Sequence, residues 1–545
     1  MAYSKVFSRI LSLRKDIIGD LEEFFSPTPQ LTHPADELYS IDEAVSRIAK
    51  ACKDNEKITI YGDYDADGVT STSIMFMFLK AAGADVEYYI PSRMDEGYGI
   101  SIEAINKIKD TGTTLIISVD CGSNSYEEAE YAKSIGMDVV ITDHHTVDKH
   151  HYEGINVNPK HPKSNCTFSQ IAGVGVAFKV LQQLQRKLNL DKRILLKGLD
   201  LVAIGTIADI MPVYDENRTY IKYGLLKMNE NPNLGLKCLI RELGISDREI
   251  KSDDVSFRIA PCINAAGRLE NASIGVELFI ADTEERAMML AKELVNLNTK
   301  RKDLQLSEVK RSKEKMIETG DDKNAILLTL DIHGGVAGIV SGKLKEDFGK
   351  VAIVMVDAGD GYLKASGRSP DAIDLYQLLL KFQDLYVNFG GHSAACGFTI
   401  KKSDEQAFRE RFYNAVDDMV EKDPDILKKN YNYDLKVDVE DMDLELAGEL
   451  KMLEPYGKLN EDIRFLIEDV VPQNMIYLGK DNRHVKFFLK RASNVLECMY
   501  FNAASEVIKM IEAQKQISII GKFGANEYRG KLSPQITVSD IMYSD

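Results

Sequence analysis

Four short apolar runs alternate with helix-forming stretches through the first 143 residues, and three of the four lead straight into an aspartate. KITIYG (57–62), DVEYYIP (85–91), TLIISVD (114–120) and MDVVITD (137–143) read as strands. TSTSIMFMFLKAAGA (70–84) and stretches near 101–110 and 125–135 read as the helices between them. Strands alternating with helices specify an α/β fold with a parallel, doubly wound sheet. In such sheets functional groups gather at the carboxyl ends of the strands. At 545 residues the chain is far longer than one such unit and predicts about three to five domains.

An α-rich stretch follows from about 171 to 280, then a long polar helix from about Thr283 to Glu318 whose sparse apolar residues predict a solvated connector. NAILLTLD and KVAIVMVD restart an α/β pattern. From about 426 onward HVKFFLK, VLECMYF, QISIIGKF and QITVSDI predict a small β-barrel or sandwich. The net charge of −17 argues against a protein built only to coat nucleic acid, while leaving room for an enzyme that meets a polyanion through metal ions or a local basic channel. No apolar stretch approaches a membrane span, so no membrane partner is expected. Seven scattered cysteines without a C-x-x-C pair fit a reducing cytoplasm.

The sharpest motif is IYGDYDADGVTST (60–72), with Asp63, Asp65 and Asp67 at every second position. On an extended backbone they would point the same way, and three adjacent like charges need cations to neutralise them. An acidic D-G turn is the equal alternative. SVDCGS adds Asp120, ITDHHT adds Asp143, His144 and His145, and AIGTIADIMP adds Asp209, each after an apolar, strand-like run. A lone Asp is usually a cap and a lone His structural. The recurrence instead suggests a hard-cation cluster suited to Mn²⁺ or Mg²⁺. With this many carboxylates, two ions about 3.5–4 Å apart would serve phosphoryl hydrolysis.

YGDYDADG, SVDCGS, TDHH and IGTIAD, in this order, resemble the four motifs of the DHH phosphoesterase superfamily. INAAGRLENAS (263–273) and GGHSAACGF (390–398) resemble motifs of its single-strand-specific exonuclease branch, RecJ. PSRMDEGYGI (91–100), AGVGVAFK (172–179), LVNLNTKRKDLQ (294–305), HGGVAGIV (333–340), ASGRS (365–369) and LEPYGKLN (453–460) extend the likeness over nearly the whole chain. The resemblance implies a DHH catalytic domain with an N-terminal extension (1–282), a connecting helix (283–322), a DHH-associated domain with the GGH motif (323–425) and an OB-like nucleic-acid-binding domain (426–545). It implies Asp65, Asp67, Asp120, His144 and Asp209 as metal ligands, with Asp120 between the ions. His145 would lie beside the reacting phosphate, and Asp63 close by. Arg93, Arg268, Ser366, Arg368 and His392 would hold substrate and its 5′-phosphate. Taken singly, Arg93 also reads as a surface ion pair and His392 as part of a glycine turn.

The chain departs from the pattern at Tyr61, where a histidine is usual, at Cys262 and Lys343, where arginine is usual, and at Ile332, where tryptophan is usual. The implied activity is a Mn²⁺- or Mg²⁺-dependent 5′→3′ exonuclease that degrades single-stranded DNA to 5′-mononucleotides by two-metal hydrolysis, in recombination and repair. Family expectation adds a monomer working with a RecQ-type helicase and a single-stranded-DNA-binding protein. Phe487, Phe488, Tyr500, Phe501, Phe523 and Tyr528 of the tail lie among basic residues, and alternation places about half of them in the core. Asn298, Arg301 and Lys302 could line a channel or a solvated helix face. A dinucleotide phosphodiesterase would not need the β-rich tail, and a non-catalytic scaffold would not keep the full carboxylate set.

Overall fold

A computed structural model describes residues 3–92, 96, 99–319, 323–428, 431–479, 482–491, 494–503 and 505–543. Arg93 lies outside the described residues. The first sheet is β1 (Lys57–Tyr61), β2 (Asp85–Tyr89), β3 (Leu115–Val119), β4 (Asp138–Thr142) and β5 (Ile155–Val157). Its order is β2-β1-β3-β4-β5, with every pair parallel. The chain leaves β1 outward to β2 and then returns to β3 on the other side. That reversal opens a crevice at the carboxyl ends of β1 and β3.

The helix Ala66–Ala81 is buried on nearly every side because its residues are apolar or small all round. It packs against the helices Gly173–Lys187 and Leu199–Ala208 as well as the sheet. The run AIGTIAD, read above as strand-like, is thus the end of a helix, and Asp209 is its C-cap residue. A short continuous apolar run cannot distinguish a buried strand from a buried helix. The aspartates of DYDAD likewise do not share an extended backbone: Asp65 is the N-cap of Ala66–Ala81 and Asp67 lies in its first turn.

The connecting helix spans Glu284–Thr319. Its first half is not solvated, since Ala287, Leu290, Ala291, Leu294 and Leu297 are buried in the catalytic core. The second half fits the solvated reading on one side, with Leu306 67% exposed, while Val309 and Ser312 are buried on the side that meets the helix Gly334–Phe348. A second sheet follows, built from β6 (Ala325–Thr329), β7 (Val351–Gly359), β8 (Tyr362–Arg368), β9 (Tyr386–His392) and β10 (Ala395–Lys401) in the order β6-β7-β8-β10-β9. The helix Gly334–Phe348 covers one face and Glu405–Lys422 the other.

The tail forms a seven-stranded mixed sheet from β11 (Leu435–Lys436), β12 (Arg464–Val470), β13 (Gln473–Leu478), β14 (His484–Arg491), β15 (Asn494–Tyr500), β16 (Ile517–Tyr528) and β17 (Lys531–Tyr543). The order is β11-β12-β16-β17-β15-β14-β13. Phe487 is core, Phe488, Tyr500 and Phe523 are half-buried, and Phe501 and Tyr528 are exposed. The first helix, Lys5–Leu13, buries Val6, Phe7 and Ile10 in this tail core, so the two ends of the chain fold together.

Candidate metal centre and substrate cleft

Three strand ends and one helix end converge at the crevice. Asp63 and Asp65 follow β1, Asp120 follows β3, and Asp143, His144 and His145 follow β4. Asp209 arrives from the Leu199–Ala208 helix. Three sets of side chains each bring ligand atoms within 4.8 Å of one another: Asp63, Asp65 and Asp120; Asp67, His144 and Asp209; and Asp120, His144 and His145. Asp120 and His144 each belong to two sets. His144 Nε2 lies 3.2 Å from Asp120 Oδ1, 3.4 Å from Asp209 Oδ2 and 3.9 Å from Asp67 Oδ2.

The sequence builds this crowding with small residues. Asp120 sits at φ +62°, in the left-handed region that aspartate tolerates better than most residues. A Cβ at Gly173 would come within 2.4 Å of Asp120 Oδ1, and one at Gly205 within 2.6 Å of Asp67 Oδ1. Gly173 N–H and Val174 N–H, at the start of the Gly173–Lys187 helix, donate to Asp67 at 2.7 and 2.9 Å. Those donors and the helix dipole favour the carboxylate. The glycines of AGVG and IGT thus let carboxylates approach a helix. Asn264 Oδ1 accepts Ala66 N–H at 2.8 Å and fixes the turn after Asp65.

Burial raises the pKa of Asp67, and the charges of Asp209 and Asp65 raise it further. Burial raises Asp120 likewise, with Asp67, Asp65 and Asp63 adding to it. Asp209 is pushed up to about 7, first by burial and then by Asp65. His144 is lowered to about 3 by burial and the neighbouring His145. Among the described residues no Lys or Arg makes an ion pair with Asp65, Asp67, Asp120 or Asp209, and the buried atoms Asp120 Oδ1, Asp209 Oδ2 and both His144 ring nitrogens have no hydrogen-bond partner. Buried carboxylates and a neutral imidazole left without donors fit hard divalent cations.

Asp143 of ITDHHT plays a different part, supporting the histidines rather than joining a ligand group. It is buried, accepts Ser123 N–H at 2.9 Å, His144 N–H at 2.7 Å and His145 N–H at 3.1 Å, and lies 2.9 Å from His145 Nδ1. Burial works against its charge, but these donors and His145 hold it well below the usual carboxylate range. In turn, burial disfavours the charged form of His145, and the Asp143 hydrogen bond and charge outweigh it and raise the imidazole to about 9. Tyr61, in the place of the usual histidine, is buried with its hydroxyl donated to the Gly99 carbonyl at 2.9 Å.

The second sheet brings part of the expected phosphate pocket together. Arg268 donates to the Gly335 carbonyl at 3.3 Å. A Cβ at Gly338 would stand 2.9 Å from Ser366 Oγ and 3.0 Å from Arg368 Nη2. Arg268, Ser366 and Arg368 thus meet around the first turns of the Gly334–Phe348 helix. His392 pairs across Ala395 with Arg368, so it shares their sheet face two strands away. Gly390 and Gly397 leave the row beside it without side chains. Asn298 does not line a channel: it is buried and donates to Cys262 Sγ at 3.3 Å. Lys343 is engaged by Glu346 and Asp347.

Comparisons with known proteins match this arrangement domain by domain. Residues 57–206 match the DHH family, N-terminal domain, residues 322–422 the DHHA1 domain and residues 433–540 the RecJ OB domain. The single-stranded-DNA-specific exonuclease RecJ of Bacillus subtilis is 37% identical over 512 residues, which cover 93% of this chain and 64% of the relative. That of Salmonella typhimurium is 31% identical over 535 residues, covering 93% and 91%. Among solved structures, RecJ of Thermus thermophilus in complex with Mn²⁺ superposes with a TM-score of 0.81 at 27% identity, covering 100% of this chain and 79% of that one. The complex with Mg²⁺ gives 0.76 at 26%, covering 100% and 78%. With three successive domain matches and identity above 30% across nearly all of one relative, the chain belongs to the RecJ family of single-stranded-DNA-specific exonucleases.

Proposed function

We propose that the chain is a Mn²⁺- or Mg²⁺-dependent exonuclease that shortens single-stranded DNA from the 5′ end, releasing 5′-mononucleotides by two-metal hydrolysis in recombination and repair. The observation that carries the reading is the set of three ligand groups sharing Asp120 and His144, beside the Arg268, Ser366 and Arg368 cluster. The names of the relatives and the ions bound in their structures support it.

Asp63, Asp65 and Asp120 would hold one ion, and Asp67, His144 and Asp209 the other, with Asp120 reaching both. Bound there, such ions acidify water and neutralise charge on a phosphoryl group. The chain's own residues supply the rest. His145, tied through Nδ1 to Asp143, serves as a proton donor to a phosphate oxygen or to the leaving 3′ oxygen. Arg268, Ser366 and Arg368 hold the terminal 5′-phosphate, since guanidinium groups offer paired donors to phosphate. His392 and the bare glycine row beside it give the strand's backbone room to approach.

This pocket sets the direction, so it is also the point of test. Arg368→Ala should lower kcat/KM on a 5′-phosphorylated oligonucleotide by roughly tenfold or more, the loss of a charged hydrogen bond, and should erase the preference over a 5′-hydroxyl substrate. Steady-state kinetics on the two substrates reads it. An unchanged preference would place the 5′-phosphate elsewhere.

A further inference from the structure

The LEPYGKLN segment is a sequence motif that the metal centre and the phosphate pocket leave unexplained. Its turn is among the most heavily braced features of the molecule. Arg218, in the helix Asp215–Glu230, is 1% exposed and among the described residues has no carboxylate partner. It donates to the carbonyl oxygens of Phe24 at 2.7 Å, Leu453 at 3.1 Å, Pro455 at 3.3 Å and Glu454 at 2.7 Å. Burying a cation costs several kcal/mol unless its donors are met, and three of the four acceptors here belong to this one segment. Asn460, also buried, donates to the carbonyls of Leu453 and Pro455 at 2.8 and 2.9 Å and accepts from Arg14 at 2.7 Å. Gly457 and Asn460 exchange both backbone hydrogen bonds at 3.0 Å, which leaves Lys458 and Leu459 exposed at the tip.

The tip packs beside the residues that follow Asp209. The Lys458 carbonyl accepts Val213 N–H at 2.9 Å, four residues beyond Asp209, and a Cβ at Gly457 would meet Val213 Cγ2 at 2.5 Å. From the other side comes Lys160. Its N–H donates to Asn158 Oδ1 at 2.8 Å, and Asn158 Nδ2 donates to the His145 carbonyl at 3.0 Å and to Ser123 Oγ at 2.8 Å. Both lysines act electrostatically on Asp209, and Lys160 also feels the charges of Asp143 and Lys458. Neither lysine makes an ion pair among the described residues, so both ammonium groups are open to a phosphate beside the Asp209 end of the centre.

The position follows from the two ends of the centre. The Arg268 helix packs on the first ligand group, with Gly267 against the Tyr64 carbonyl and Asn264 on Ala66. The lysines adjoin the second group, at Asp209. A strand whose 5′ end sits by Arg268 crosses the centre and leaves past the lysines.

We propose that Lys160 and Lys458 form a subsite for the backbone phosphate on the 3′ side of the scissile one, with the tail domain supplying Lys458 to the catalytic cleft. The assignment rests on the 5′→3′ reading above. The test uses the full chain in Mn²⁺ with a 5′-phosphorylated, 3′-labelled dT12, plain or carrying a neutral methylphosphonate at its second linkage. On the wild-type chain the methylphosphonate should lower kcat/KM by roughly two- to fivefold, the size of a partly exposed ion pair. Lys458→Gln should cost about as much on the plain strand and show little further loss on the modified one. Lys458→Arg should restore the wild-type pattern, and Lys160→Gln should behave as Lys458→Gln does. Losses that multiply, or an equal loss on a 5′-phosphorylated dinucleotide that has no second linkage, would overturn the subsite. A separate control with the dT12 labelled at either end reads direction: release of the 3′ label first would overturn the directional reading itself, whatever the lysine variants do.

Discussion

At the scale of single residues, the site is a set of charges placed against their own preference. In the metal-free chain Asp67, Asp120 and Asp209 keep protons that an unfolded chain would release, because burial and mutual repulsion raise all three. A raised carboxyl contributes stability below its unfolded value near 4 and loses it as pH rises through its folded value, which is about 7 for Asp209. His145, raised to about 9, acts in the same sense, with its contribution lost as pH rises through 9. His144, lowered to about 3, is neutral in both states above its ordinary value of about 6.5 and drops out there. Thermal melting in chelator should therefore show stability falling from pH 7 to 9, the interval over which the folded chain loses the His145 proton. Saturating Mn²⁺ should raise the melting temperature throughout, because the ions bind the folded carboxylates and not the unfolded chain. A metal-free chain whose melting temperature rises over this interval would contradict the charge balance described here. The carboxylates and histidines themselves were legible from their spacing and from family likeness. The reason for the glycines around them was not, because Gly173 and Gly205 show their purpose only when Asp120 and Asp67 are seen pressed against them.

At the scale of elements, the strands of the first sheet were readable because β-branched, apolar runs ended in polar turns. The helices at the site were less so. Leu199–Ala208 is apolar all round, so its periodicity carried no sign of helix. The connecting helix Glu284–Thr319 misled in the other direction: its charged composition concealed a narrow stripe that the catalytic core covers. This division has a measurable consequence. Leu294→Ala, in the covered half, should cost about 2–4 kcal/mol, whereas Leu306→Ala, 67% exposed, should stay within about 0.5 kcal/mol. Denaturant titration of both variants decides it, and equal costs would mean that the helix is not docked as described. The pocket residues Arg268, Ser366 and Arg368 lie far apart in sequence and meet only because β8 and the Gly334–Phe348 helix cross beside the Arg268 turn, a meeting that only family likeness could anticipate.

At the scale of the whole molecule, the tail is more than an appended binding module. The first helix lies in its core, and Arg218 of the catalytic part is satisfied by its 453–455 carbonyls. Removing residues 426–545 should strip Val6, Phe7 and Ile10 of their packing and leave a buried guanidinium short of acceptors. The truncated chain should melt well below the intact one and lose dinucleotide hydrolysis together with long-strand cleavage. A truncation that melts like the parent and still hydrolyses dinucleotides would show that the parts fold independently. None of this clasp was visible in the sequence, because an isolated arginine in a helix reads as a surface charge until its surroundings are known.

Directional hydrolysis of single-stranded DNA from a held 5′ end would join the metal centre and the phosphate pocket in one activity. The most direct measurement takes one 5′-phosphorylated, single-stranded DNA oligonucleotide, labelled in separate samples at either end, and follows its products in Mn²⁺. The 5′ label should appear at once as mononucleotide while the 3′ label runs down as a shrinking ladder. Release of the 3′ label first, or cleavage of dinucleotides with neither label moving, would contradict it.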